Sequence, residues 1–185
     1  MEKIFSVSLK DIEIECVKGD ICCQPDMDVI VNAANRHLAP GGGVAGAIHR
    51  KAGPLLYREC KKYAPIDTTE AVITSGYNLP NPYVIHTVGP VYSEEEKPAE
   101  KLAMCIINSL TLADDKKLVS IAFPAISTGI FGYPIEEAAD VSINAAIKII
   151  PELKSIKKIR FVLFDQYCYS VFLSALKKIY EKGHT

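Results

Sequence analysis

The sequence predicts a three-layer α/β/α domain in which helices cover both faces of a mixed, mostly parallel sheet. Short apolar segments rich in β-branched residues alternate with longer segments whose apolar residues recur at helical spacing. The chain of 185 residues has the length of one domain, which we expect to span residues 1–185. A domain of this size can bury enough surface to form a core without disulfides.

Seven segments are predicted as strands. Ile12, Ile14 and Cys16 alternate with charged residues, which gives the period of two of a half-buried strand. The segments DVIVN at 28–32 and VSIAF at 119–123 are short and apolar, as is typical of strands buried on both faces. In chain order, the predicted strands are residues 5–9, 12–17, 28–32, 71–75, 83–88, 119–123 and 158–164.

Five segments are predicted as helices. Pro54 and Pro134 occupy favourable first-turn positions, and Pro151 follows the end of the second of these helices. The predicted helices are residues 43–51, 54–62, 99–113, 134–150 and 167–182. Parallel sheets of this kind bind ligands beyond the carboxyl ends of their strands. The segments that follow the strands are therefore the candidate functional segments.

The composition excludes several classes of protein. Twenty-one basic residues face twenty-two acidic ones, so we expect no broad electrostatic attraction to nucleic acid. No run reaches the ~18 apolar residues of a membrane span, and the first residues lack the layout of a secretory signal. The six cysteines show no C-x-x-C spacing, so we expect free thiols in a reducing compartment and a cytoplasmic protein.

A glycine-rich segment follows the predicted strand at 28–32. Asn32 and Asn35 carry amides that suit vicinal sugar hydroxyls. Gly41, Gly42 and Gly43 precede a predicted helix, whose first N–H groups can hold a phosphate without a lysine. The segment is not a Walker loop, because no Gly-Lys-Ser/Thr follows the glycines. It is not a dinucleotide-binding fingerprint either, because too many residues separate the glycines from the end of the strand. An asparagine turn with a plain glycine-rich connection explains the same residues.

Two further post-strand segments carry candidate chemistry. Residues 125–134 (AISTGIFGYP) place small residues and glycines before a helix, which favours anion binding. Phe131 in this loop suits a surface against a sugar, or a side chain that folds back onto the core. Asp20, between Gly19 and Ile21, could accept a hydrogen bond from an exocyclic amine, although a simple turn also accounts for it.

Five segments in order resemble the signature of the macro domain family. They are VKGDI at 17–21, DVIVNAAN at 28–35, GGGVAGAIHRKAG at 41–53, YVIHTVGPVY at 83–92 and PAISTGIFGYP at 124–134. The closing FVLFDQYCYSVF also resembles the last strand and helix of the family. The resemblance covers nearly the whole chain. It implies the macro-domain fold and a site for ADP-ribose, which many members remove from proteins.

The resemblance also implies roles for individual residues. Asp20 would accept from the adenine amine, with Ile21 and Phe164 against the ring. Asn35 would bind the distal ribose, with Asn32 supporting its loop. The implied ligand-binding residues are Gly19, Asp20, Ile21, Asn32, Ala33, Asn35, Gly41, Gly42, Gly43, Val44, Ala45, Ser127, Thr128, Gly129, Ile130, Phe131 and Phe164, of which Asn35, Gly43 and Phe131 are the implied catalytic residues.

Ala45 departs from the pattern of many related hydrolases, which carry an aspartate there that is thought to help activate water. Some viral relatives share the GGGVAG run and still hydrolyse, so alanine does not exclude catalysis. An ester to Asp or Glu leaves as a carboxylate of pKa about 4 and needs no strong acid. The remaining task is to place water at the anomeric carbon. We therefore expect activity on acidic-residue esters and little on arginine adducts.

Three functions stay open for the sequence alone: a protein mono-ADP-ribosyl hydrolase, an O-acetyl-ADP-ribose deacetylase, and a reader that binds without cleaving. We expect ADP-ribose and ADP-ribosylated proteins as partners, a monomer, and neither a membrane nor a nucleic-acid partner. No cofactor and no metal are expected, because no His/Cys cluster has ligand spacing. His49 and His86 are predicted as core or supporting residues, and Arg36 and His37 as solvated residues at the rim.

Overall fold

The alternating pattern of strands and helices folds into one mixed sheet between two layers of helices, as predicted. The computed structural model describes residues 4–183, so residues 1–3 and 184–185 of the predicted domain lie outside the described residues. The strands are β1 (Ser6–Leu9), β2 (Ile12–Lys18), β3 (Val29–Ala33), β4 (Ala71–Ser75), β5 (Tyr83–Thr87), β6 (Ser120–Phe123) and β7 (Lys158–Leu163). The helices are α1 (Gly43–Ala52), α2 (Pro54–Cys60), α3 (Pro98–Asp115), α4 (Ile135–Ile149) and α5 (Gln166–Lys182), with a 3₁₀ turn at Ile150–Glu152.

All predicted helix ends lie within two residues of the observed ends, and two of the differences have a clear local cause. α2 ends at Cys60 rather than at residue 62, because the N–H of Lys62 donates to the carbonyl of Glu59 and tightens the last turn. α5 begins at Gln166, one residue earlier than predicted. Asp165 caps this helix, and its Oδ1 accepts from the N–H of Cys168 at 2.8 Å.

The strand order in the sheet is β1-β2-β7-β6-β3-β5-β4. The outer pairs β1–β2 and β4–β5 are antiparallel, and the four inner pairings are parallel. The sheet is therefore mixed and mostly parallel. α1 and α2 cover one face, and α3, α4 and α5 cover the other.

The core on the α3–α5 face centres on three fully buried rings. Phe123 on β6 stacks on Phe161 on β7 with centroids 5.6 Å apart, and Phe161 packs at the same distance against Phe172 on α5. Each such side chain contributes about 2–3 kcal/mol through burial. This cluster fixes α5 against the centre of the sheet. No helix among residues 4–183 combines the length and apolar character needed to cross a membrane.

The order in which the chain adds strands to the sheet reverses between β3 and β6. After β3 the chain builds the side that holds β5 and β4, and after β6 it builds the side that holds β7. β3 and β6 pair only at Val29–Ile121 and Ile30–Ala122. Beyond these pairs β3 follows β5 and β6 follows β7, which leaves a cleft at their carboxyl ends. Ligand sites of open α/β sheets occur at such switch points.

Candidate functional site

A cavity of about 780 Å³ opens at the carboxyl ends of β3, β6 and β7. Its size lies within the usual range of small-molecule sites. Sixteen of the seventeen predicted ligand-binding residues line it: Gly19, Asp20, Ile21, Ala33, Asn35, Gly41, Gly42, Gly43, Val44, Ala45, Ser127, Thr128, Gly129, Ile130, Phe131 and Phe164. The three post-strand segments therefore meet at one place.

Asn32 is the exception among the predicted ligand-binding residues. Its side chain is fully buried, and it does not line the cavity. It pairs across the sheet with His86 on β5, and its Nδ2 lies 3.1 Å from Nδ1 of that ring. Side chains alternate along a strand, so Asn32 points into the α1–α2 layer. It supports the end of β3 from beneath.

Asn35 is held in place by its own loop. Its Nδ2 donates to the carbonyl of Ala39 at 2.8 Å, and the N–H of Ala39 donates to its Oδ1 at 3.0 Å. Leu38, which has φ +53° and is fully buried, anchors the loop between them. A primary amide has a second N–H and a second lone pair, so Asn35 keeps one donor and one acceptor for a ligand.

The first glycine segment packs closely against α1. A methyl group on Gly46 would lie 2.2 Å from the carbonyl oxygen of Gly41, so only glycine allows this approach. Gly43, at φ +55°, turns the chain into the helix. Gly42 caps α1 without a side-chain hydrogen bond. The first-turn N–H groups therefore remain available beside the cavity, at the positive end of the helix dipole.

The second loop, residues 127–132, forms the opposite side of the cavity. Ser127 and Gly132 both have positive φ, and the N–H of Tyr133 donates to the carbonyl of Ser127 at 2.9 Å. The hydroxyl of Ser127 is buried and has no hydrogen-bond partner among the described residues. Thr128 donates from Oγ1 to the carbonyl of Ala125 at 2.8 Å. The loop is a closed turn at the carboxyl end of β6, a geometry suited to anions.

The third segment lies at the other end of the cavity, beside β7. The N–H of Gly19 donates to the carbonyl of Leu163, which fastens the segment to that strand. Oδ1 of Asp20 accepts from the N–H of Cys22 at 2.8 Å. Phe164 is 83% exposed at the rim. An acceptor beside an exposed aromatic ring can bind a flat heterocycle that carries an amine.

Comparison of the sequence with protein-family models identifies the family of the chain. The model of the family described as "Macro domain" matches residues 31–142, which is more than half of the chain. The chain belongs to the macro domain family. The matched region includes both glycine-containing loops of the cavity.

Relatives and solved structures support the same membership. A macro domain-containing protein of Chlorobaculum tepidum is 46% identical, over 90% of this chain and 96% of that protein. The ADP-ribose glycohydrolase MACROD2 of Xenopus laevis is 42% identical, over 92% of this chain and 41% of that longer protein. The Oceanobacillus iheyensis macrodomain, solved with ADP, superposes with a TM-score of 0.93 at 41% identity, over 97% of this chain and 98% of that one.

Several residues that line the cavity of this macro domain were not among the predicted ligand-binding residues, although some of them lie in the predicted segments. They are Ala34, Ala47, Arg50, Gly89, Pro124, Ala125, Ile126, Val162, Leu163, Asp165 and Cys168. Most are small or contribute backbone, and they flank residues that were predicted. Gly89 had a usable signal, since it follows a predicted strand. A methyl group there would lie 2.2 Å from Oγ of Ser127, so Gly89 supports the second loop.

Two buried histidines lie beneath the macro-domain cavity without lining it. Burial lowers the pKa of His86 to about 3, and its Nε2 lies 2.9 Å from Oγ1 of Thr74. Burial also lowers the pKa of His49, whose ring nitrogens have no partner among residues 4–183. Both are core residues, as predicted. Within the described residues, no group of three or more His, Cys, Asp or Glu side chains is placed to hold a metal ion.

Proposed function

We propose that this macro domain binds ADP-ribose and hydrolyses the ester that joins it to Asp or Glu side chains of proteins. The observation that carries the proposal is the order of groups along the cavity. An acceptor and an exposed ring stand at one end, two loops suited to anions lie in the middle, and an anchored amide stands at the other end. Adenosine, diphosphate and distal ribose follow the same order in ADP-ribose. The relative named as an ADP-ribose glycohydrolase supports the same ligand.

The diphosphate would be held by backbone rather than by basic side chains. The first turn of α1 beyond Gly43 offers N–H groups from one side, and the loop at residues 127–132 faces it from the other. Helix termini and turns bind phosphate through such groups and their dipoles. This arrangement agrees with a net charge of −1. Asp20 and Phe164 would hold the adenine.

The reaction would take place at the distal ribose. The free donor and acceptor of Asn35 would orient a ribose hydroxyl and a water molecule, and Phe131 would shield the ring. Water attacks the anomeric carbon and the bond from that carbon to the ester oxygen breaks, which releases ADP-ribose and a carboxylate, while the proton lost by the water passes to solvent. Ala45 is buried and cannot act as a base. Positioning of the water by Asn35 and by a substrate phosphate therefore replaces base catalysis.

Release of ADP-ribose from a protein mono-modified on glutamate tests the proposal. Asn35→Ala is expected to lower the release rate about 100-fold or more, while the affinity for ADP-ribose falls less than tenfold, because the lost amide acts mainly in positioning. An arginine-linked substrate is the control and should be released little, because the acidic side chains among the described residues that line the cavity, Asp20 and Asp165, stand at the end opposite Asn35 and cannot protonate a nitrogen leaving group there. Equal release by the variant, or equal turnover of the arginine adduct, would contradict the proposal.

A second candidate is deacetylation of O-acetyl-ADP-ribose in the same cavity. Ala45 favours this second candidate, because its side chain cannot act as a base for the cleavage of the bond at the anomeric carbon. If the chain binds ADP-ribose tightly but releases none from the modified protein, deacetylation of O-acetyl-ADP-ribose is the activity to measure next. If neither substrate were consumed, the chain would be a reader of ADP-ribose.

A further inference from the structure

Arg50 is the one basic side chain among the described residues that line the cavity. The two acidic side chains there, Asp20 and Asp165, stand at the Phe164 end, and each accepts a backbone N–H at 2.8 Å. Arg50 is exposed and makes no hydrogen bond or ion pair with any residue of 4–183. It is thus an unsatisfied cation at the edge of a candidate site.

The neighbours of Arg50 place it at the Asn35 end. A methyl group on Gly46 would lie 3.0 Å from Nη1 of Arg50 and 2.2 Å from the oxygen of Gly41. A methyl group on Gly41 would in turn lie 3.5 Å from Nδ2 of Asn35. Asn35, Gly41, Gly46 and Arg50 therefore adjoin in that order. The guanidinium lies about one helical turn beyond Gly43, on the side where the distal ribose would emerge.

The other basic residues nearby are either already paired or outside the cavity lining. Arg36 on the Asn35 loop pairs with Asp67, with Nη2 3.1 Å from Oδ1. Lys51 follows Arg50 on α1 but does not line the cavity. A substrate that protrudes past Asn35 would therefore meet the guanidinium of Arg50 as its nearest free positive charge.

We infer that Arg50 recognises the protein part of the substrate by pairing with a carboxylate next to the ADP-ribosylated residue. The inference rests on the proposed function and adds a substrate preference to it: sites with an acidic residue within two positions of the modified one. A planar guanidinium binds carboxylate with two parallel hydrogen bonds. The diphosphate of ADP-ribose would be held by backbone N–H groups of the two loops, so the affinity for ADP-ribose itself should change less than tenfold when Arg50 is replaced.

The expected preference is modest and depends on salt. Exposed ion pairs change affinity by about two- to fivefold, because water and salt screen them. At 1 M salt the Debye length shrinks to about 3 Å, so the preference should largely vanish. A larger effect would require burial, which the exposed position of Arg50 does not provide.

Two peptides that differ in one flanking residue test the inference. Both carry ADP-ribose on a central glutamate, and the neighbouring residue is Asp in one and Asn in the other. The native chain should favour the Asp peptide two- to fivefold in kcat/KM. Arg50→Gln should lose this preference, and Lys51→Gln, which removes the same charge from the same helix, should keep it. The affinity for free ADP-ribose should change less than tenfold in either variant.

Three results would overturn the inference. They are equal kcat/KM for both peptides with the native chain, a preference that survives Arg50→Gln, and a tenfold loss of affinity for free ADP-ribose in that variant, which would make Arg50 a phosphate ligand. If neither peptide is hydrolysed, the proposed function fails separately. The affinities of the intact peptides are then compared, and equal values for the native chain would also overturn the preference.

Discussion

Single residues set the shape of the cavity where the backbone of one segment touches that of another. Gly46 is the clearest case, because the carbonyl of Gly41 occupies the space of its missing methyl group. The same contact places the Asn35 loop against α1. Gly42, in contrast, has open space around it, so the run of three glycines is not uniformly constrained.

We predict that Gly46→Ala lowers the affinity for ADP-ribose at least tenfold. The methyl group must push the Gly41 carbonyl away by about 1 Å to reach ordinary contact, which displaces the loop that carries Asn35. In a helix interior alanine is more stable than glycine by about 1 kcal/mol, so the helix α1 should still form in the variant. Calorimetric titration measures the affinity and circular dichroism the helix content. Native-like affinity would show that the loop adapts freely.

One arginine of β7 joins several elements near the Phe164 end of the cavity. Arg160 binds Glu15 on β2, with Nε 2.6 Å from Oε1. It also binds Gln24 and Asp26, with Nη1 2.9 Å from Oε1 and Nη2 2.7 Å from Oδ2. These last two residues belong to the segment that carries Asp20. One buried guanidinium thus fixes two strands and the loop that would face the adenine.

Arg160→Met is expected to cost about 3 kcal/mol of unfolding free energy, because it leaves the buried carboxylate of Glu15 without its main partner. Adding Glu15→Leu should restore most of this loss, since a buried ion pair exchanged for apolar side chains is often neutral. Urea unfolding of the native chain, the single variant and the double variant measures both effects. A double variant as unstable as the single one would refute this account.

The stability of the whole molecule depends on pH through its two buried histidines. Burial depresses the pKa of both His49 and His86 in the folded state. In the unfolded chain their pKa is near 6.5. Below that pH the histidines bind protons in the unfolded state but not in the folded state. The free energy of unfolding is therefore highest above pH 6.5 and falls as the pH decreases.

We predict that the unfolding free energy falls between pH 6.5 and pH 5 by up to about 1.4 kcal/mol per pH unit for each histidine. His49→Phe should reduce this slope, because a ring of similar shape remains without a group that titrates. Urea unfolding at several pH values measures the slopes. A slope that does not change in His49→Phe would mean that His49 is protonated in the folded state.

The sequence was most informative where local pattern alone decides the structure. Strands such as β3 and β6 are buried on both faces, so their apolar runs stand out within a residue or two of the true ends. The start of α5 was missed because periodicity does not report a cap such as Asp165. A motif does not say on which side of a strand a residue points, so the sequence could not show that the side chain of Asn32 lies outside the cavity. Arg50 needed the fold, since only the packing of Gly41 on Gly46 brings it to the site.

The short pairing of β3 with β6 has a consequence for how the molecule opens. In the strand ladder, two residue pairs join the half of the sheet that holds β5 and β4 to the half that holds β7, β2 and β1, and hydrogen bonds of Asp28 to residues 119 and 120 add to them. Proteins open locally in cooperative units that often coincide with supersecondary motifs, and each half of this sheet with its helices is such a motif. A ligand that touches Ala33 on one half and Ser127 on the other fastens the halves across this junction. Amide hydrogens along the junction should then exchange with solvent far more slowly when the cavity is filled.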